Sequence, residues 1–130
     1  MTEITEQKNY FKQKELACKC GCNTNKFDSE FLLKLNAIRE ECGFPFVITS
    51  AYRCKNHPIE ARKARPGSHY TGKAVDVRCS GAKSLEVIRV ALKHGIERIG
   101  VQQKSGSQKF IHLDGCTKEE GFSCPDSWSY

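Results

Sequence analysis

The segment SHYTGKAVDVRC, residues 68 to 79, decides how this chain folds. After Gly72 the residues alternate in polarity, so the two valines lie on one face of a strand and Asp76 lies on the other. Glycine allows the chain to turn sharply into that strand. The segment therefore predicts a strand that is buried on its valine face and presents a carboxylate on the opposite face, seven residues after His69.

A second strand is predicted at FIHLD, residues 110 to 114. Its alternation directs Ile111 and Leu113 to the core and places His112 and Asp114 on the other face. The preceding ERIGV is a third short strand, and the polar turn QQKSGSQ joins the two as a hairpin. A fourth strand is predicted from Phe46 to Ser50.

Two helices are predicted between these strands. Residues 28–43 carry apolar side chains at helical spacing, with Asp28 or Ser29 as the N-cap and Gly43 as the stop. Residues 84–95 form the second helix, with a serine cap and with apolar positions 85, 88, 91 and 92. Residues 54–67 contain two prolines and several basic residues, which predicts an exposed loop.

This order of elements predicts one α+β domain over residues 1–130, with a mainly antiparallel sheet flanked by helices. A chain of 130 residues can bury a core without oligomerising, so we expect a monomer. Residues 1–9 are expected to be flexible.

The net charge of +6 favours an anionic partner such as nucleic acid, a membrane surface or an acidic cell-wall polymer. The basic residues are scattered and no aromatic and basic binding motif occurs, so nucleic-acid binding is disfavoured. No apolar run is long enough to span a membrane, and the N-terminal residues lack the apolar core of a secretory signal. We therefore expect synthesis in the cytoplasm.

Eight cysteines are a high number for a chain of this size, and such a density is typical of disulfide-rich or metal-binding domains. The run CKCGC, residues 18 to 22, lacks the C-x-x-C spacing of zinc fingers and ribbons. Disulfides are therefore the favoured interpretation over a second, structural zinc ion. Eight cysteines allow 105 pairings, so no connectivity is predicted.

The two strands and the turn before them bring together His69, Asp76 and His112 as candidate metal ligands. Two imidazoles and one carboxylate are the ligand count of a catalytic zinc site, in which water completes the tetrahedron. The alternative is that each histidine is an ordinary surface or core residue. His57, in the loop, and His94, at a helix C-terminus, are assigned structural roles.

Several motifs resemble one enzyme family. SHYTGKAVD resembles the signature S-x-H-x-x-G-x-A-x-D, with one residue fewer between Ser and His, of the zinc D-alanyl-D-alanine carboxypeptidases, which include vancomycin-resistance dipeptidases and many phage endolysins. RIGV, KFIHLD, FVITSAYRC and FKQKELACKCGC resemble further parts of that family, over about residues 10–114. The resemblance implies a Hedgehog/DD-peptidase-like fold and one catalytic zinc ion bound by His69, Asp76 and His112.

The resemblance also implies roles for two neighbouring side chains. Arg53 would face the cleft and bind a substrate carboxylate or the developing oxyanion. Ser68 would bind substrate or only cap its turn. The loop CKNHPIEARKARPG differs from the H-N-x-x-x-G-G loop common in the family, and Lys109 occupies a position where relatives often have an acidic general base.

Because of Lys109, Asp114 is the candidate general base, and its alternative role is to orient a ligand imidazole. Glu97, Glu119 and Glu120 are the next candidates.

The predicted function is a zinc peptidase that hydrolyses an amide bond in peptidoglycan stem peptides or cross-links, as a DD-carboxypeptidase or as an L,D- or D,D-endopeptidase. A lysin released through a holin, or a virion-associated enzyme, would reach the cell wall without a signal peptide. The alternative is a non-catalytic, metal-containing module that binds the cell wall.

Overall fold

A computed structural model describes residues 8–22, 24–63 and 67–130. The helices are α1 (Gln13–Leu16), α2 (Ser29–Cys42), α3 (Pro58–Ala61) and α4 (Ala82–Lys93). The strands are β1 (Val47–Ser50), β2 (Ala74–Arg78), β3 (Arg98–Gln102), β4 (Phe110–Asp114) and β5 (Asp126–Ser129), and a 3₁₀ turn covers Ser68–Thr71.

The five strands form one sheet in the order β1-β2-β4-β3-β5. Four strands pair antiparallel, and β5 runs parallel to β3. The predicted α+β class, the mainly antiparallel sheet and the hairpin of β3 and β4 are thus confirmed. No helix within the described ranges is both long and apolar enough to cross a membrane.

One face of the sheet is covered by α2 and α4, and this layer is the hydrophobic core. Strand alternation directs four apolar side chains of β2 and β4 into it, and these four are fully buried: Val75, Val77, Ile111 and Leu113. Helix α2 has the predicted caps at both ends. The Asp28 carboxylate accepts a hydrogen bond from the Phe31 N–H, and Gly43 ends the helix in a left-handed conformation. The polar side chains of β2 and β4 are therefore left on the opposite face.

The second helix differs from its prediction in both its start and its buried face. Helix α4 begins at Ala82 with Gly81 as the N-cap, while Ser84 is buried in the first turn and donates to the Gly81 carbonyl. Leu85 and Leu92 are exposed. The buried apolar residues of α4 are Val87, Val90 and Ala91, so of the four predicted positions only Ala91 is fully buried, while Ile88 is partly buried against the core. Apolar residues occur around much of this helix, so periodicity alone did not identify the face that packs.

Three further differences concern the edges of the domain. Strand β1 begins at Val47 rather than at Phe46. The expected loop of residues 54–67 contains the short helix α3, and its residues 64–66 lie outside the described part of the chain. Strand β5 was not predicted. Of the segment expected to be flexible, residues 1–7 are also outside the described ranges.

Candidate active site

The register of the sheet places Asp76 directly beside His112. These residues are Cα partners in the antiparallel pair of β2 and β4, on the face opposite the core. Their side chains meet, with His112 Nδ1 2.9 Å from Asp76 Oδ1. The alternation visible in the sequence therefore produces the first half of the predicted constellation.

His69 approaches the same carboxylate from the 3₁₀ turn before β2. That turn ends at Gly72, whose φ of 78° is left-handed and whose missing Cβ leaves room for the Lys26 carbonyl. His69 Nε2 lies 3.3 Å from Asp76 Oδ1, and His69 Nδ1 donates to the Ala51 carbonyl oxygen at 2.7 Å. A carbonyl can only accept, so the lone pair of His69 is on the nitrogen that faces Asp76.

The three donor atoms lie within 4.8 Å of one another, and the residues that carry them are buried: His69, Asp76 and His112. Each imidazole directs one nitrogen to this centre and holds a backbone or carboxylate oxygen with the other. Such outer partners fix the orientation of histidines that bind metal ions. The donor set therefore fits a zinc ion held by three protein ligands.

The electrostatics of the centre favour a positive charge. Burial disfavours the charged form of Asp76, but the neighbouring imidazoles of His112 and His69 outweigh it, and the pKa of Asp76 is well below its usual range. Burial also opposes charge on His112, yet its two carboxylate partners raise the pKa of His112. His69 has a lowered pKa because of its burial, which keeps it neutral.

Asp114, two residues after His112, is held by three donors. One oxygen accepts from Arg98 Nε at 2.7 Å and from the Cys116 N–H at 3.0 Å. The other oxygen lies 2.7 Å from His112 Nε2, on the side of the ring away from Asp76. Asp114 is 1% exposed. This arrangement favours the orienting role for Asp114 over that of a general base.

Arg53 borders the centre, between two carboxylates. Its guanidinium lies 3.8 Å from Asp76 and 3.7 Å from Glu60, and its Nε donates to the Ser50 hydroxyl at 3.0 Å. The Ser68 hydroxyl is 3.4 Å from His112 Nε2. The structure therefore brings all the sequence-predicted site residues together around Asp76 and His112.

The other titratable residues considered in the sequence have different surroundings. Lys109 lines a surface cavity with Arg78 and Lys83. Glu97 borders another cavity with Ile96 and Pro125. Glu119 is exposed, and Glu120 pairs with Lys73 at 3.1 Å.

The two remaining histidines have local partners. His57 caps α3 through Nδ1, which accepts from the Ile59 N–H, and His94 pairs with Glu41 at 3.0 Å.

Two residues near the centre, Arg98 and Glu60, were missed in the sequence, and the role of Trp128, as a wall of the cleft or as a core residue, was left open. Arg98 could have been found, because it is the Cα partner of Asp114 in the predicted hairpin. Glu60 is buried and accepts from Lys63 and from the Gly67 N–H, but no sequence signal marked an acid in that basic loop. The position of Trp128 depends on β5, which the sequence did not predict.

Trp128 forms a wall of the centre. Its ring centroid lies 5.2 Å from that of His112, and the Arg98 guanidinium lies 4.7 Å from the indole. The indole crosses β3 at Gly100, where an added Cβ would lie only 2.5 Å from Trp128 Nε1. The close approach of Trp128 to His112 therefore requires glycine at this position.

We expect Gly100→Ala to lower the free energy of unfolding by about 1–3 kcal/mol, because the new methyl group overpacks against the indole. Denaturant unfolding measures this change. In a Trp128→Ala background the same substitution should cost clearly less, since the clashing ring is gone. Equal costs in both backgrounds would contradict the contact.

Comparison with known proteins agrees with this geometry. A family model described as Peptidase M15 matches residues 9–114, a range that includes His69, Asp76 and His112. No curated protein matches the chain. The match covers most of the 130 residues and confirms the resemblance noted in the sequence. The chain therefore belongs to the M15 peptidase family, a family of metallopeptidases.

Proposed function

We propose that this chain is a zinc-dependent peptidase that hydrolyses an amide bond in the peptide part of peptidoglycan. The observation that carries the proposal is the convergence of three atoms: His69 Nε2, Asp76 Oδ1 and His112 Nδ1. The second nitrogen of each imidazole contacts a backbone or carboxylate oxygen that fixes the orientation of the ring. A zinc ion bound there supplies a Lewis acid that polarises a carbonyl and lowers the pKa of water. The net charge of +6 would favour accumulation on anionic wall polymers.

The protein groups around the three ligands have separate tasks in this proposal. Arg53, partly exposed beside Asp76, binds a substrate carboxylate or the oxygen on which charge develops. Ser68 donates to the substrate backbone from the turn that carries His69. Trp128 and the His112 ring form an apolar wall that limits access of water.

Digestion of purified peptidoglycan tests the proposal. Mass spectrometry of the released muropeptides should show cleavage of a stem-peptide or cross-bridge amide, and chelation of the metal should stop it. The mass of the products distinguishes a DD-carboxypeptidase, which releases a terminal D-alanine, from an endopeptidase. Intact muropeptides after incubation with zinc-loaded protein would refute catalysis.

One observation favours a second candidate, a non-catalytic module that binds the cell wall. The carboxylates of Asp76, Asp114 and Glu60 all hold other side chains in place, so none of these three is free to act as a base. Such a module would sediment with peptidoglycan without cleaving it. The digestion experiment therefore separates the two functions.

We expect Arg53→Lys to lower kcat/KM by at least about tenfold, because an ammonium cannot reproduce the planar fork of donors. The control is Arg62→Lys, since Arg62 is an exposed residue of the loop that follows Arg53 and donates to the Pro58 carbonyl. Kinetics on a soluble muropeptide measure both variants. Equal activity of the two would remove Arg53 from substrate binding.

A further inference from the structure

Four cysteine side chains converge at a place separate from the peptidase centre. The turn of residues 18–22 wraps around Cys54, which follows Arg53 in sequence. The Cys54 sulfur lies 3.5 Å from that of Cys18, 3.4 Å from that of Cys20 and 3.7 Å from that of Cys22. All four sulfur atoms lie within 4.8 Å of one another.

These distances differ from those of the disulfides favoured by the sequence analysis. A disulfide joins two sulfur atoms at about 2.05 Å and uses them in pairs, whereas here one sulfur has three near neighbours. Four thiolates around zinc at about 2.3 Å define a tetrahedron whose edges are about 3.8 Å. The eight cysteines, all of which lie within the described ranges, have free thiols. The expected disulfides are thus not observed.

The local backbone supports thiolate charge at two of these positions. The Thr24 N–H donates to the Cys22 sulfur at 3.4 Å, and the Cys54 N–H donates to the Cys18 sulfur at 3.3 Å. The turn itself is closed by a hydrogen bond from the Cys18 N–H to the Thr24 carbonyl at 2.8 Å. N–H donors directed at sulfur stabilise the thiolate, which is the form that binds metal ions.

We propose that Cys18, Cys20, Cys22 and Cys54 bind a second metal ion, a structural zinc. Four sulfur ligands leave no open position, which is the property of a structural site rather than a catalytic one. Binding is coupled to folding and releases the thiol protons. The spacing C-x-C-x-C did not indicate such a site in sequence, because the fourth ligand is 32 residues further along the chain from Cys22.

The position of the site gives it a role in the architecture of the peptidase centre. It joins the N-terminal segment to the exit of β1, where the Tyr52 N–H also donates to the Leu16 carbonyl at 3.1 Å. Arg53, between Tyr52 and Cys54, donates its N–H to the His69 carbonyl at 3.1 Å. A metal ion at the four cysteines therefore holds the segment that carries Arg53 against the turn that carries His69.

The test is metal analysis of full-length protein purified under reducing conditions without chelators. We expect two zinc ions per wild-type chain and one in the double variant Cys20→Ser, Cys22→Ser, whose two side chains are exposed and contribute little to packing. Cobalt substitution should give thiolate-to-cobalt charge-transfer absorption in the wild type and not in this variant. The control Cys79→Ser alters a cysteine outside the cluster and should keep both metal ions.

The double variant His69→Ala, His112→Ala separates this site from the proposed peptidase centre. It should lose one zinc ion while it keeps the thiolate-to-cobalt absorption. The proposal is overturned if the cysteine double variant binds as much zinc as the wild type, or if peptide mapping of the folded, zinc-loaded protein shows disulfides among the four cysteines. Failure of the peptidase proposal would instead appear as absent peptidoglycan cleavage with the cysteine-bound metal intact.

Discussion

His112→Ala is expected to lower the rate of peptidoglycan hydrolysis by at least about a thousandfold. A metal ion in such a site contributes several kcal/mol of transition-state stabilisation, and each 1.4 kcal/mol corresponds to a factor of ten. The substitution removes one of the three proposed ligand side chains, and it leaves Asp76 and Asp114 without their shared imidazole. The zinc content should fall by one ion per chain. Kinetics and metal analysis on the same preparation measure both effects.

His94→Ala is the matched control, because His94 lies at the C-terminal end of α4 and pairs with Glu41. It should retain zinc and activity. His112 is 1% exposed, so alanine also leaves a cavity, and His112→Gln provides a second variant of more similar volume. Far-UV circular dichroism verifies that each variant is folded. A folded His112 variant with full zinc content and wild-type turnover would show that the assigned centre is wrong.

The centre could be predicted because its geometry follows from strand alternation. Asp76 lies among valines that must face the core, and His112 lies between Ile111 and Leu113, so both polar side chains share the other face. The antiparallel register then makes them direct neighbours. Polarity that alternates with a period of two residues is thus sufficient to place two of the proposed ligands on one face of the sheet.

Strand β5 and the cysteine cluster were missed because they depend on contacts between segments that are distant in sequence. Strand β5 is only four residues long and pairs parallel to β3, so no local pattern indicated it or the approach of Trp128 to His112. The cysteine cluster combines a tight turn with Cys54, and composition alone favoured disulfides. Glu60 is buried through contacts with Lys63 and Gly67, which are local but have no recognisable motif.

The sequence and the structure favour different roles for Asp114. On its strand it shares a face with His112, which made it the best candidate for a base. Its surroundings resemble those of a carboxylate that fixes an imidazole, because Arg98 and the Cys116 N–H occupy one oxygen and His112 the other. Burial raises the pKa of Asp114, but hydrogen bonds from His112 and from the guanidinium of Arg98 outweigh this effect and lower it. A lowered pKa makes the carboxylate a poorer acceptor of a proton, which a general base must take up.

Asp114→Asn decides between these roles, and we expect it to weaken zinc binding by about 10- to 100-fold. The amide oxygen can still accept from Arg98 and the Cys116 N–H, which leaves the amide NH₂ facing His112 Nε2. His112 must then carry its lone pair on Nε2 and its proton on Nδ1, the nitrogen that faces Asp76. The wrong tautomer cannot act as a ligand at that nitrogen.

Competition with a chelator measures the affinity, and Asp126→Asn, an exposed change in β5, is the control. If Asp114 orients His112, excess zinc should restore much of the turnover of Asp114→Asn, because the catalytic groups are unchanged once the metal is bound. If Asp114 is instead the base, zinc affinity will be close to wild type while turnover falls by about 10²- to 10⁴-fold and does not respond to added zinc. Unchanged affinity together with unchanged turnover would exclude both roles, and the contact between Asp114 and His112 would then serve only the stability of the fold.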